Sequence, residues 1–387
     1  MRCVRGLGLF AVITSAAFIL IALTTFGIRV SASSPEDIVT DGLSSAADAV
    51  HGSSGSHLAE DLSGGDIDTL GQNLTELLSV QRIFEEITSW ISAALPRALS
   101  TLATLMGILL VSAAARGLSG GIDGEKTAAA FDFLSTAAIS AALLGSQYVE
   151  IQRTAEFFDG IGSLMDAMIP VTGAVLAMGG NVSTAGAGTA TLYLMLSATQ
   201  RLVAGAVVPV CAVLVAASVC SALSGGNILC GFSGAVKKCY TFFIGLIMTV
   251  FVFVLGAQTT VAGAADTAAA RSGKLIASTV IPVVGGAVGD TLRTVAGSVG
   301  YIKSVVGVGG ILLIIILALP TLISLLLTRL VYIAVATAAE ALGCHNESRL
   351  LSELGNVYGF LIGAVSVSAV AFTVALALFI RCAVAVG

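Results

Sequence analysis

Long continuous apolar runs dominate this chain, and the polar positions between them are few. The main runs cover 7–28, 99–115, 128–146, 189–222, 240–262, 308–342 and 358–380. A run of roughly 20 apolar residues suffices to cross a bilayer as a helix. The runs lack period-two alternation, which disfavours a β-barrel. The pattern predicts an all-α fold, a polytopic helical membrane protein.

Three stretches depart from plain spans. Leu70, Leu74, Leu77, Val80, Phe84, Ile87 and Ile91 recur at three- and four-residue spacing, so a helix starting near Ile67 has one apolar face. Residues 148–166 carry Glu150, Arg153, Glu156, Asp159 and Asp166 and read as an interfacial helix. A shorter amphipathic piece is expected near 348–357, before a last span over 358–380.

The prolines and glycines inside apolar runs set the middle of the chain apart. Pro282 is followed by Gly285, Gly286 and Gly289, then by Asp290 and Arg293. Proline and glycine weaken a helix interior. In lipid such a break survives only where protein or a water-filled cavity satisfies the freed backbone groups. Pro/Gly-broken segments, re-entrant or simply kinked, are therefore expected around Pro282 and around Pro170. A re-entrant hairpin over 164–200 followed by a span over 203–222 fits the run that ends at Ala222. It also leaves Lys237 and Lys238 on the cytoplasmic side.

The order of these features repeats. Ile169-Pro170-Val171-Thr172-Gly173 is echoed by Ile281-Pro282-Val283-Val284-Gly285, Pro209 by Pro320, and the turn ending in Asn227 by the one ending in Asn346. An internal duplication follows, with membrane repeats over 150–266 and 267–387. Two N-terminal transmembrane helices occupy 98–149, and the first 97 residues divide at residue 32. Arg2 and Arg5 before the first apolar run, and Val30-Ser31-Ala32 after it, make 1–32 a signal peptide or an uncleaved anchor. Residues 33–97 form an arm plus the amphipathic helix. Up to Gly65 the arm is rich in Ser and Gly and is expected to be unstructured. Its eleven acids against one base, Arg82, over residues 33–96 belong to an extracytoplasmic segment in either case.

Composition agrees with the pattern. Hydrophobic residues make up 56% of the 387 and charged residues 11%, less than half the share of about a quarter in soluble domains. With one Trp and no basic tract, nucleic acid is not an expected partner. The seven cysteines form no CxxC pair and the three histidines are scattered, so no metal site and no cofactor are expected. No P-loop, HExxH or GxSxG is present, and the chain reads as a non-enzyme. Charges inside apolar runs are the functional candidates, because burying them in lipid is unfavourable by several kcal/mol. They are Asp290 and Arg293, three apart on a helix, with Arg329 and Arg201 in the long run of each repeat; Asp132 and the amides Gln200 and Gln258 complete the list. Together with Pro282, Gly285, Gly286 and Pro170 they outline a polar path or an assembly site. Structural ion pairing within a bundle is the competing account.

The stretch IPVVGGAVGDTL at 281–292 resembles the stage III sporulation protein AE family of endospore-forming bacteria. The run Gly179 to Ala185, Pro320, and Leu351-Ser352-Glu353-Leu354-Gly355-Asn356 support the resemblance, which extends from about residue 70 to the C-terminus. It implies a multi-pass protein of the mother-cell membrane facing the forespore. Such a protein is a membrane core component of a channel or secretion-like complex between the two cells. The implied partners are other stage III sporulation A membrane proteins, the forespore-side channel protein and the lipid bilayer. The family supplies no catalytic residues to carry over. A solute permease with binding near the Pro170 and Pro282 breaks is the alternative.

Overall fold

The computed structural model describes residues 44–48, 79–119, 124–178, 189–224, 231, 234–247, 249–254, 256–257 and 285–382. The side chains of several helical positions, among them Asp132, Asp290 and Arg293, lie outside that description, as do all of residues 1–32, expected from sequence to be a signal peptide or an uncleaved anchor. Six helices organise the described residues: α1 Val80–Ser119, α2 Gly124–Met178, α3 Thr189–Ser224, α4 Gly234–Val254, α5 Gly285–Ala341 and α6 His345–Cys382. No strand occurs among the described residues. Five of the helices, all but α2, are long and apolar enough to cross a membrane. The chain is an all-α, multi-pass membrane protein.

The helices are longer than the sequence pattern implied. α1 fuses the amphipathic stretch with the first span and runs through Pro96. α2 has 55 residues and absorbs both the second expected span and the expected interfacial helix. It also continues past Pro170 to Met178, so Pro170 does not end a helix. α3 runs unbroken through Arg201 and Pro209, joining the expected limb of a re-entrant hairpin to the span after it. α5 has 57 residues with Pro320 inside, and α6 joins the expected amphipathic piece to the last span. The physical reason is common to the four that contain a proline, α1, α2, α3 and α5. A proline removes one backbone bond, and neighbouring helices keep the rest of the ladder in place. At about 1.5 Å per residue α5 is roughly 85 Å long, well beyond a bilayer core of about 30 Å.

α5 and α6 form the most extensive helix pair, and α1, α2 and α3 pack around it. Leu313, Ile314, Ile316 and Val306 of α5 and Leu361, Val365 and Phe372 of α6 are fully or almost fully buried. At Gly310 three helices pack tightly together. A Cβ there would lie 2.7 Å from Met168 Cε of α2 and 2.9 Å from Leu376 Cδ1 of α6. Small residues at helix crossings let backbones approach in this way.

The α5–α6 turn has a specific cause. Gly343 has φ +77°, the left-handed region that glycine enters without strain. Its N–H donates to Glu340 O at 3.1 Å and the Cys344 N–H to Ala339 O at 2.8 Å, the paired bonds of a Schellman cap. The chain reverses within three residues, and α6 returns along α5. One expectation fails nearer the N-terminus: residues 44–48 of the acidic arm are helical and bury Ala46 and Ala47 completely. Two small apolar residues suffice to seat that turn against the core.

Candidate functional site

Two polar clusters interrupt an otherwise apolar bundle, one near each end of α1's apolar stretch. The inner cluster forms where the end of α1, the early part of α2 and the α5–α6 turn meet. Glu347, in the first turn of α6, has a fully buried side chain. Its Oε1 accepts from Arg116 Nη2 at 2.6 Å, from Ser112 Oγ at 3.2 Å and from Ser135 Oγ. Arg116 Nη1 also donates to Gly343 O at 2.8 Å. A carboxylate at the start of a helix is favoured by the helix dipole. Here it also receives a guanidinium from the C-terminal end of another helix. Glu347 Oε2 is buried without a hydrogen-bond partner among the described residues. The cluster ties the α5–α6 turn to the end of α1 and the early part of α2, both far earlier in the chain.

The outer cluster sits where α1, α2 and α5 meet near Pro320. Glu150 accepts from Arg153 Nη1 at 3.2 Å and from Ser324 Oγ at 3.2 Å. Beside it opens a cleft of about 530 Å³, walled by Trp90 and Arg97 of α1, Glu156 and Phe157 of α2, and Leu317 and Pro320 of α5. Gly160 lets α5 approach, since a Cβ there would lie 3.2 Å from Leu317 Cδ1.

The two clusters are a membrane's thickness apart. From Arg97 to Arg116 α1 rises about 28 Å, and from Ser324 to Gly343 α5 rises the same, close to the hydrocarbon core of a bilayer. Between them the outward side chains are mainly apolar: Leu99, Leu110 and Val111 on α1, Phe133, Leu134 and Leu144 on α2, Leu330 and Ile333 on α5. The exposed hydroxyls of Thr104 and Thr337 bond carbonyls of their own helices, and Glu340 is exposed near the belt's end. Past Glu150 the outward residues of α2 turn polar, with Glu156, Asp159 and Asp166 exposed. The belt therefore ends at Arg97 and Glu150 on one side and near Arg116 and Gly343 on the other.

Inside the belt several of the described polar groups meet across helices. Gln147 Nε2 donates to Tyr332 Oη at 2.7 Å, and the Tyr332 ring meets Tyr358 edge-on with centroids 5.2 Å apart. Arg329 is half-buried and lies across Gly359, where a Cβ would come within 3.1 Å of its Cζ. Its Nε is buried with no hydrogen-bond partner among the described residues. On the far side Arg349 Nη2 donates to Ser221 Oγ at 3.1 Å and Lys237 Nζ pairs with Glu353 Oε2 at 3.2 Å, joining α6 to α3 and α4.

The residues singled out from sequence do not converge on one described site. Arg329 lies in the belt, Arg201 is exposed on α3 and Pro170 is exposed on α2. Gly285 and Gly286 open α5, and Asp290 and Arg293 follow in its first turns. Pro282 lies outside the described residues. Sequence reading missed Glu347, Arg116 and Glu150 as partners. An acid opening one apolar run and an arginine closing another were visible signals, but their meeting depends on the α5–α6 turn. Among the described residues no group of His, Cys, Asp and Glu is arranged to hold a metal ion.

Comparison with known proteins gives one family. The model of stage III sporulation protein AE matches residues 67–383. Stage III sporulation protein AE of Bacillus subtilis (strain 168) is 24% identical over 238 residues, 61% of this chain and 59% of that protein. The aligned part thus spans less than two thirds of that relative. No solved structure matches.

Proposed function

Because the chain belongs to the stage III sporulation protein AE family, we propose that it is a polytopic membrane core component of the channel or secretion-like complex linking mother cell and forespore during endospore development. It sits in the mother-cell membrane facing the forespore, with its N-terminal arm extracytoplasmic. Its partners are the other stage III sporulation A membrane proteins and the forespore-side channel protein. It is an assembly component without turnover of its own.

One observation carries the assembly role. Phe84 of α1 and Leu194 and Leu202 of α3 are 68%, 62% and 56% exposed. Phe84 precedes Arg97 on α1, on the side away from the belt, and Gln200 of α3, between Leu194 and Leu202, donates to Phe158 O in the part of α2 that exposes acids. Lipid covers apolar side chains inside the belt; outside it, exposed apolar residues are better covered by another protein. Within this reading Asp290 and Arg293, one turn apart near the start of α5, form a polar path or an assembly contact with Pro282, Gly285 and Gly286.

The test is deletion and complementation in an endospore-forming host, with the tagged chain recovered from membranes. Loss of sporulation, and recovery of stage III sporulation A partners only with chains that keep Phe84, Leu194 and Leu202 apolar, is expected. Normal sporulation of the deletion strain would overturn the reading. Flux of a small solute through the purified chain alone in liposomes would replace it with the permease reading.

A further inference from the structure

We propose that the cleft beside Pro320 binds the headgroup of a zwitterionic aminophospholipid, which carries one phosphate and one primary ammonium. Two opposite charges in its wall have no partner among the described residues: the Arg97 guanidinium of α1 and the Glu156 carboxylate of α2, both exposed to the opening. The other two charges there, Arg153 and Glu150, satisfy each other. A lone cation and a lone anion in one cleft are complementary to a ligand that carries both signs, through charge-assisted hydrogen bonds. Trp90, also in the wall, is 7% exposed, and its Nε1–H is buried without an acceptor among the described residues.

Position selects a lipid over a dissolved zwitterion. Arg97 marks the end of α1's apolar stretch, at headgroup depth, where Trp and basic residues favour the interface. Glu156 stands about 9 Å further out along α2 than Glu150, on the water side. The phosphate is therefore placed against Arg97 and the ammonium toward Glu156. Phe157, Leu317 and Pro320 supply an apolar wall for the glycerol and first methylenes. A purely anionic lipid would meet Glu150 and Glu156 with like charge.

The experiment uses the full purified chain, stripped of lipid in detergent, with bound lipid counted by native mass spectrometry. Phosphatidylethanolamine, phosphatidylglycerol and phosphatidylcholine are supplied in turn. Phosphatidylethanolamine is expected to be retained about tenfold better than the other two, a difference of about 1.4 kcal/mol. Arg97→Gln combined with Glu156→Gln is expected to remove that preference. Ala93→Phe, at a wall position of α1 between Trp90 and Arg97, narrows the cleft without changing a charge and should lower retention, and Lys238→Gln on α4, outside the cleft, should leave it unchanged. Equal retention of the three lipids, or an unchanged preference in both cleft variants, would overturn the proposal. Displacement of the lipid by equimolar glycerophosphoethanolamine would also overturn it, assigning the cleft to a soluble zwitterion. None of these outcomes bears on whether the chain assembles with sporulation partners.

Discussion

The inner and outer clusters use the same residue types, one glutamate with arginine and serine, at opposite edges of one apolar belt. At the inner edge the side chains of Glu347 and Arg116 are 0% and 17% exposed; at the outer edge those of Glu150 and Arg153 are 13% and 31% exposed. The inner pair joins segments distant in the chain, whereas the outer pair lies within α2, three residues apart. A buried carboxylate stripped of its partner is left as an uncompensated charge, while a part-buried one on the wall of an open cleft is within reach of water. The inner cluster is thus a clasp holding the α1 and α2 ends to the α5–α6 turn. The outer one is the rim of an open cleft, where residual charges remain for something else to use.

The largest effect expected from this contrast is at Glu347. Arg116→Ala leaves its carboxylate buried with only two hydroxyl donors, and the expected loss is about 3–5 kcal/mol. Thermal unfolding in detergent should show a lowered midpoint, with the protein scarce in membranes. Arg116→Met together with Glu347→Leu should recover most of the loss, because no buried charge is then left alone. If the double variant is as unstable as Arg116→Ala, the pair is not the source of the effect, and the contrast with the outer cluster fails.

Gly343 comes next, and it sharpens the same contrast from the backbone side. A Cβ there meets nothing within 4 Å, so Gly343→Ala introduces strain at φ +77° without a clash. The expected loss is about 1–2 kcal/mol. The Gly343 carbonyl also receives Arg116, so displacement of the turn should loosen the clasp. Limited proteolysis between α5 and α6 is the readout, and a cleavage rate equal to the parent's would show that the turn is held by α5–α6 packing alone.

These sites explain which parts of the fold could be read in advance. Apolar runs dictate helices wherever the backbone must satisfy itself in lipid, so the all-α membrane class follows from composition and run length. Pro170 looked like a break because prolines remove a hydrogen bond locally. Their neighbours decide whether the helix continues, and the neighbours belong to other helices. Glu347 has the same history. Its spacing to Arg116 in the chain carries no information, and only the reversal at Gly343 brings the two within 2.6 Å. Arg329 was legible as a charge within an apolar run, but its bed on Gly359 was not, since that contact needs the α5–α6 register.

The smallest stability effect is expected at the outer cluster, and it separates a rim from a second clasp. Glu150→Gln removes the charge but keeps the shape, so Ser324 still finds an acceptor and Arg153 turns toward water. The pair lies three apart on one helix, where such contacts contribute roughly 0.2–0.5 kcal/mol. The unfolding midpoint should stay within about 0.5 kcal/mol of the parent. Lipid retention should change instead, because Arg153 is freed from its carboxylate and the cleft gains a net positive charge. Phosphatidylglycerol should then bind better, narrowing the gap to phosphatidylethanolamine. A loss of stability comparable to Arg116→Ala would mean that Glu150 holds the bundle together as firmly as Glu347 does. The two ends of the belt would then be alike, and openness to water would not distinguish them.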